Sequence, residues 1–188
     1  MGVPTTYTSP TGFNNAVTSF NKWLATNVPP ASAADFIYDF LGQMDSTVFP
    51  RVAVTPMDNT EPGISAMDQQ LLAAGSQTKG RPNELIFEIN IYDDVKANAA
   101  AKKHVFQVRD RILRGLANAG ISNDADVEIQ PPIKVLDYDN AGADTGIVLQ
   151  VLIEQQAGIT GRYFPPGAEA PGIHRLQLLV RTKWHELI

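Results

Sequence analysis

Glu84-Leu85-Ile86-Phe87-Glu88-Ile89-Asn90-Ile91-Tyr92 decides the architecture. Leu85, Phe87, Ile89 and Ile91 alternate with mostly polar neighbours. That period of two predicts a strand with one face buried and the other largely wet. Asp93-Asp94 ends the strand, and a helix is predicted over residues 96–119. Its apolar positions Val105, Val108, Ile112 and Leu116 recur in steps of three and four, while Lys102, Lys103, Arg109, Asp110 and Arg114 fall largely elsewhere. Each of those four side chains contributes roughly 1.5–3 kcal/mol on burial, enough to dock the helix on a sheet. Asp93 and Asp94 suit the positive end of the helix dipole, and Gly120 suits the other end.

Three further strands are predicted downstream. Residues 127–138 form one interrupted by Pro131-Pro132, which implies a bend or an exposed edge. Residues 145–157 place Ile147, Leu149, Val151 and Ile153 on one face. Residues 173–184 place Leu176, Leu178, Val180 and Trp184 on one face and Arg175, Gln177, Arg181 and Lys183 on the other. The Gly/Pro-rich stretch 158–172 reads as a hairpin tip much longer than a hairpin needs. Its pair Tyr163-Phe164 either packs down on the domain or reaches a neighbour.

Upstream, residues 1–12 are rich in Thr, Ser, Pro and Gly and read as an arm. A helix is predicted over 14–27, with Phe13, Val17, Phe20 and Leu24 as its stripe and Trp23 widening it. Val28-Pro29-Pro30 ends it, because proline lacks an amide hydrogen and disfavours helix in the residue before it. Ser32 is expected to cap a second short helix presenting Phe36, Ile37, Phe40 and Leu41, with Gly42 near its end. Residues 48–55 read as a strand whose Pro50 and Pro56 suit an edge or an end. Residues 57–83 read as irregular, with one short helical stretch over 64–74, and as a contact loop. The expected fold is α+β: a mostly antiparallel sheet of about four or five strands packed against a long helix, with extra N-terminal helices. One domain is expected over residues 13–188.

Composition narrows the function. The chain has 188 residues, 44% hydrophobic, suited to one domain with a substantial core. The net charge of −5 gives no bulk attraction for nucleic acid. The absence of cysteine excludes disulfides, thiolate nucleophiles and Cys-ligated zinc. The first residues, Met1-Gly2-Val3-Pro4-Thr5-Thr6-Tyr7, have no basic or apolar region of a secretory signal. No apolar stretch approaches the roughly 18 residues of a membrane span, so a soluble protein is expected.

The residues that carry chemistry form no recognised constellation. His104 has Val108 at i+4, so no helical metal pair exists, and His174 and His185 lie at either end of the last strand. No serine has a Gly-x-Ser-x-Gly frame. Gly75-Ser76-Gln77-Thr78-Lys79-Gly80 lacks the phosphate-loop spacing. Asp93-Asp94 with Asp137, Asp139 and Asp144 are the candidates for a carboxylate Mg²⁺ or Ca²⁺ site, but they fall where Asp commonly serves turns and caps. No catalytic, cofactor-binding or metal-binding residue is therefore assigned. Arg109, Arg111 and Arg114, with Lys102 and Lys103, make the predicted helix locally basic and able to face an acidic partner, including another copy. Together with Arg162, Tyr163 and Phe164 these arginines are the candidate protein-interaction residues.

The order of elements has a family look. The run 84–93 leads into Val105-Phe106-Gln107-Val108-Arg109-Asp110-Arg111-Ile112-Leu113-Arg114, then Asp137-Tyr138-Asp139 and a final Arg/Lys-containing strand. This pattern, over roughly residues 48–188, resembles the tail terminator (tail completion or neck) proteins of tailed bacteriophages. The resemblance implies a small α+β domain, without catalytic residues or cofactors, that forms a homo-hexameric ring in the virion after assembly in the host cytoplasm. It implies tail tube, sheath and neck or stopper proteins as partners, with genomic DNA passing through the lumen and no membrane contact. A net-acidic ring would repel that DNA and let it slide. A stopper or baseplate component, and a small enzyme with a carboxylate metal site, are the rival readings.

Overall fold

The computed structural model describes residues 11–32, 34–40, 48–57, 69–73, 76–120, 130–152, 159–168 and 170–187. In chain order the elements are α1 (Phe13–Asn27), β1 (Ile37–Asp39), β2 (Arg51–Met57), β3 (Gln69–Ala73), β4 (Ser76–Asp94), α2 (Ala101–Asn118), β5 (Lys134–Asp137), β6 (Ala143–Val148), β7 (Gln150–Val151), β8 (Ile159–Phe164) and β9 (Ile173–Leu187). The fold is α+β. A seven-stranded sheet runs β1-β2-β4-β9-β7, with β3 added to β4 and β8 added to β9, and β5-β6 forms a separate ribbon. All pairings of the large sheet are antiparallel except β1 with β2.

The alternation of β4 sets the layers. Leu85, Phe87, Ile89 and Ile91 are fully buried, and across the ladder they face Thr182, Val180, Leu178 and Leu176 of β9. Val52 and Val54 of β2 extend the same face. Both helices pack on it. The Phe20 ring of α1 stacks on Phe87 at a centroid distance of 3.9 Å, and α2 contributes Val105, Val108, Ile112 and Leu116 to the same core. The helices also meet each other, with buried Gly115 of α2 lying under Val28, the C-cap of α1. A Cβ at Gly115 would sit 2.5 Å from a Val28 methyl, so this approach needs glycine. Among the described residues no helix covers the opposite face of the sheet.

Several expectations are corrected. The predicted second helix is the strand β1: Phe36, Ile37 and Phe40 have helical spacing, but the Ile37 amide donates to Pro50 O and the segment pairs in parallel with β2. Leu41 and Gly42 lie outside the described residues. Among the described residues one N-terminal helix is present, and its buried apolar stripe is Ala16, Phe20, Trp23 and Leu24, with Phe13 42% exposed. Helix α2 begins at Ala101 rather than near Lys96, because the preceding turn consumes the local donors. Asp94 O accepts from the Ala97 and Asn98 amides, and the Asp94 carboxylate accepts from the Lys96 amide. Asp93 and Asp94 thus organise that turn and do not cap the helix.

The stretch expected to be irregular over 57–83 contains β3 and the first part of β4, which replaces the helical reading for residues 69–73; residues 58–68 lie outside the described set. The predicted strand over 127–138 is observed only as Lys134–Asp137, with residues 121–129 outside the description. The predicted strand over 145–157 is divided at Leu149 between the ribbon and the large sheet, while residues 153–157 lie outside the description. The long tip over 158–172 contains strand β8, Ile159–Phe164, paired with β9. At the N-terminus Thr11 is buried and its carbonyl accepts from Trp184 Nε1 at 2.8 Å, so it belongs to the core and not to an arm; residues 1–10 lie outside the description.

Candidate interaction surface

Strand parity separates the side chains that the sequence grouped together. On β8, Tyr163 pairs with Leu176 and faces the helices, whereas Arg162 and Phe164 pair with Gln177 and Arg175 and face away from them. Tyr163 accordingly packs down. Its ring lies 5.3 Å from that of Phe106 on α2, and its hydroxyl is 2.6 Å from His174 Nδ1. Beside this pair is a groove of about 490 Å³ lined by residues that include Lys102, Lys103, Phe106, Gln107 and His174.

The three arginines of α2 do not act as one basic face. Arg109 donates from Nε and Nη2 to Asp110 Oδ1, at 2.8 and 2.6 Å. Arg111 is bound to Asp35 and lies over the Phe36 ring. Arg114 is exposed beside a second groove, lined also by Asn27, Pro29 and Gln130. One cation is thus committed inward, one neutralised by its chain neighbour, and one left at the surface.

Arg162 and Phe164 belong to a ladder across the bare face of the sheet. The guanidinium groups of Arg162 and Arg175 lie 4.8 and 4.9 Å from the Phe164 ring centroid, and Arg175 also lies over Tyr92 at 5.8 Å. Arg175 is compensated: it donates to Asn90 Oδ1 at 2.9 Å and to Glu88 Oε1 at 3.2 Å. The same Glu88 oxygen accepts from Asn90 and Gln177. The hydrogen bond from Asn90 is the chief reason the Glu88 carboxyl is held below its ordinary pKa; burial opposes the shift, and Gln177 and Arg175 reinforce it. Sequence alternation put Glu88, Arg175 and Gln177 on non-core positions. Only the register, Asn90 with Gln177 and Tyr92 with Arg175, brings them together.

A second polar cluster escaped sequence reasoning. His104 Nδ1 is 2.7 Å from Asp93 Oδ2, and its Nε2 is 3.1 Å from Asp35 Oδ1. With a carboxylate on each ring nitrogen, the imidazole donates from both and is held as the cation. A doubly donating imidazolium has no lone pair with which to accept a proton. Burial works against the charged ring, but the hydrogen bonds to Asp35 and Asp93 and their charges outweigh it and raise the pKa above its usual value. For Asp35, burial is outweighed by hydrogen bonds from the Ala31 amide, Arg111 and His104, which lower its pKa.

These directions predict a pH profile. A raised histidine pKa stabilises the fold fully below the unfolded value of about 6.5, and the contribution is lost as pH rises through the folded value. A lowered aspartate pKa contributes above about 3.9 and is lost as pH falls through the folded value. Melting temperature measured from pH 5 to 9 is therefore expected to fall above about pH 6.5. His104→Gln should flatten that slope; an unchanged slope in the variant would show that another group carries it.

The carboxylates considered for a metal site take separate partners. Asp93 sits in the His104 cluster, while Asp137 accepts from Asn15 Nδ2 of α1 and from the Asp139 amide. Asp144 pairs with Lys134 across the β5-β6 ribbon. Among the described residues no group of three or more His, Asp or Glu forms that could hold a metal ion, and no helix is long and apolar enough to cross a membrane.

No family model matches the chain, and no curated protein matches it. Thirteen chains of solved structures align with it. One, whose name is a bare sequence identifier, is 12% identical with a TM-score of 0.41 over 93% of this chain and 95% of its own.

Proposed function

We propose that the chain is a structural subunit of a tailed-phage virion, a tail terminator whose copies form a ring that caps the tail tube and joins it to the neck. The observation that carries this reading is the length of β4. Nineteen residues at about 3.3 Å each extend roughly 60 Å, whereas a compact domain of this size is about 40 Å across. Its segment from Asn83 onward carries the buried alternation, and residues 86–92 pair with β2 on one side while β9 flanks the other. Residues 76–79 pair only with β3 among the described residues, so β3 and the start of β4 form a hairpin extending past the helix-covered body. Among the described residues such an arm leaves strand edges unpaired, a liability for a lone chain and a natural contact between copies of a ring.

The partners in this reading are other copies of the chain, the tail tube and sheath, and a neck or stopper protein, with DNA passing through an acidic lumen. Native mass spectrometry of the purified protein across a concentration series tests it. Closed assemblies, six copies above all, are the expected result. A protein that stays monomeric up to about 100 µM, above the micromolar affinities ordinary interfaces reach, would count against ring formation and favour a stopper-like single subunit.

A further inference from the structure

We propose that the Arg162–Phe164 end of the bare sheet face, together with the open edge of β8, is the docking surface for an acidic face of a second copy of this chain. The inference rests on the assembly reading above and specifies where its copies meet. Two guanidinium groups share the Phe164 ring, at 4.8 and 4.9 Å, and only one of them is compensated there. Arg175 has Glu88 and Asn90. Arg162 is exposed and makes no ion pair among the described residues.

A planar cation laid on an aromatic ring beside a second cation is prepared for a carboxylate, which would relieve the repulsion and accept a forked pair of hydrogen bonds. Strand β8 pairs with β9 on one side only among the described residues, so its other edge offers backbone donors and acceptors next to that cation. Arg181 and Lys183 of β9 share the parity of Arg175, so with Arg162 four cations lie on this face against Glu84 and Glu88 of β4.

Charge complementarity selects the occupant. The chain as a whole carries a net charge of −5, so two copies repel unless a locally basic surface of one meets an acidic surface of the next. Joining two different surfaces in this way is the heterologous geometry that closes rings. Nucleic acid, the other polyanion, is disfavoured by the same net charge.

The test is the mass distribution of wild type, Arg162→Glu and Lys96→Glu at about 0.15 and 1 M NaCl, where the screening length falls from about 8 to 3 Å. Lys96 is an exposed cation in the turn after β4, on neither β8 nor β9, so its variant controls for bulk charge. Assembly that weakens at high salt, weakens roughly tenfold or more in Arg162→Glu, and is unaffected in Lys96→Glu is the expected result. Arg162→Lys should fall between, because it keeps the charge and loses the fork. If wild type assembles and Arg162→Glu assembles equally well, this surface is not the contact, while the ring reading survives. If wild type is monomeric under every condition, both fail together. Arg162 is exposed at a sheet edge, so circular dichroism of the variant should match wild type.

Discussion

Phe87→Ala is expected to lower the free energy of unfolding by about 3–5 kcal/mol, the usual cost of emptying an aromatic site in a core. Phe87 is fully buried at the centre of β4 and stacks on Phe20, with the two rings inclined by only 16°. It therefore joins α1 to the sheet as well as filling volume. Cross-strand neighbours Val180 and Pro56 are fixed by backbone pairing on both sides, which limits collapse into the vacated space. Urea unfolding followed by circular dichroism measures the cost, with Ile86→Ala as the companion on the bare face. Ile86 is half-exposed, so its truncation should cost roughly 1 kcal/mol, nearer the average for point substitutions. Equal costs for the two variants would mean that the assignment of the buried face of β4 is wrong.

Asp93→Ala is expected to cost about 3 kcal/mol at pH 6, at the lower end of the range for breaking a buried ion pair. Its carboxylate is fully buried and accepts from the Asp94 amide, Asn98 Nδ2 and His104 Nδ1. Removing it leaves a cation and two donors, all partly buried, without this acceptor. The lower end applies because Asp35 still holds the other side of the His104 ring. The cluster also ties three elements together, since Asp35 lies just before β1, Asp93 ends β4 and His104 opens α2. Asp93→Asn should cost less, as it keeps an acceptor for the Asp94 amide, and should shift the alkaline loss of stability to lower pH. An Asp93→Ala cost below about 1 kcal/mol, the scale of exposed pairs, would show that the cluster is not closed in solution.

What was legible in the sequence was whatever depends on neighbours in the chain. The alternation of 85, 87, 89 and 91 gave the strand and its buried face, and the three-and-four spacing gave the apolar stripe of α2. Pro29 and Pro30 placed the end of α1. Even the two faces of β9 could be read before its partner was known. The surroundings of the candidate interaction residues were only partly legible. Arg111 sits on the helix as its spacing required, but its ion partner is 76 positions away. Tyr163 and Phe164 are neighbours in sequence and lie on opposite faces of the sheet, a consequence of strand parity once the segment is known to be β8.

The segments misread share one property. Residues 37–39, 69–73 and 159–164 have weak local periods or a helical one, and each is a strand because another strand supplies its hydrogen bonds. Their conformation is a property of the sheet, since an edge segment takes its backbone partners from whichever neighbour the fold provides. The Asp35–His104–Asp93 cluster is likewise assembled from three distant segments, and the Arg162–Phe164–Arg175 ladder from register. The sequence by itself determined the class of fold, the buried face of the central strand and the termini of α1, because hydrophobic period and proline act within a few residues. The tertiary structure alone decided the strand order, the ion cluster and the surface available to a partner, because electrostatic and backbone pairings act between segments that only folding brings within 3 Å or so of each other.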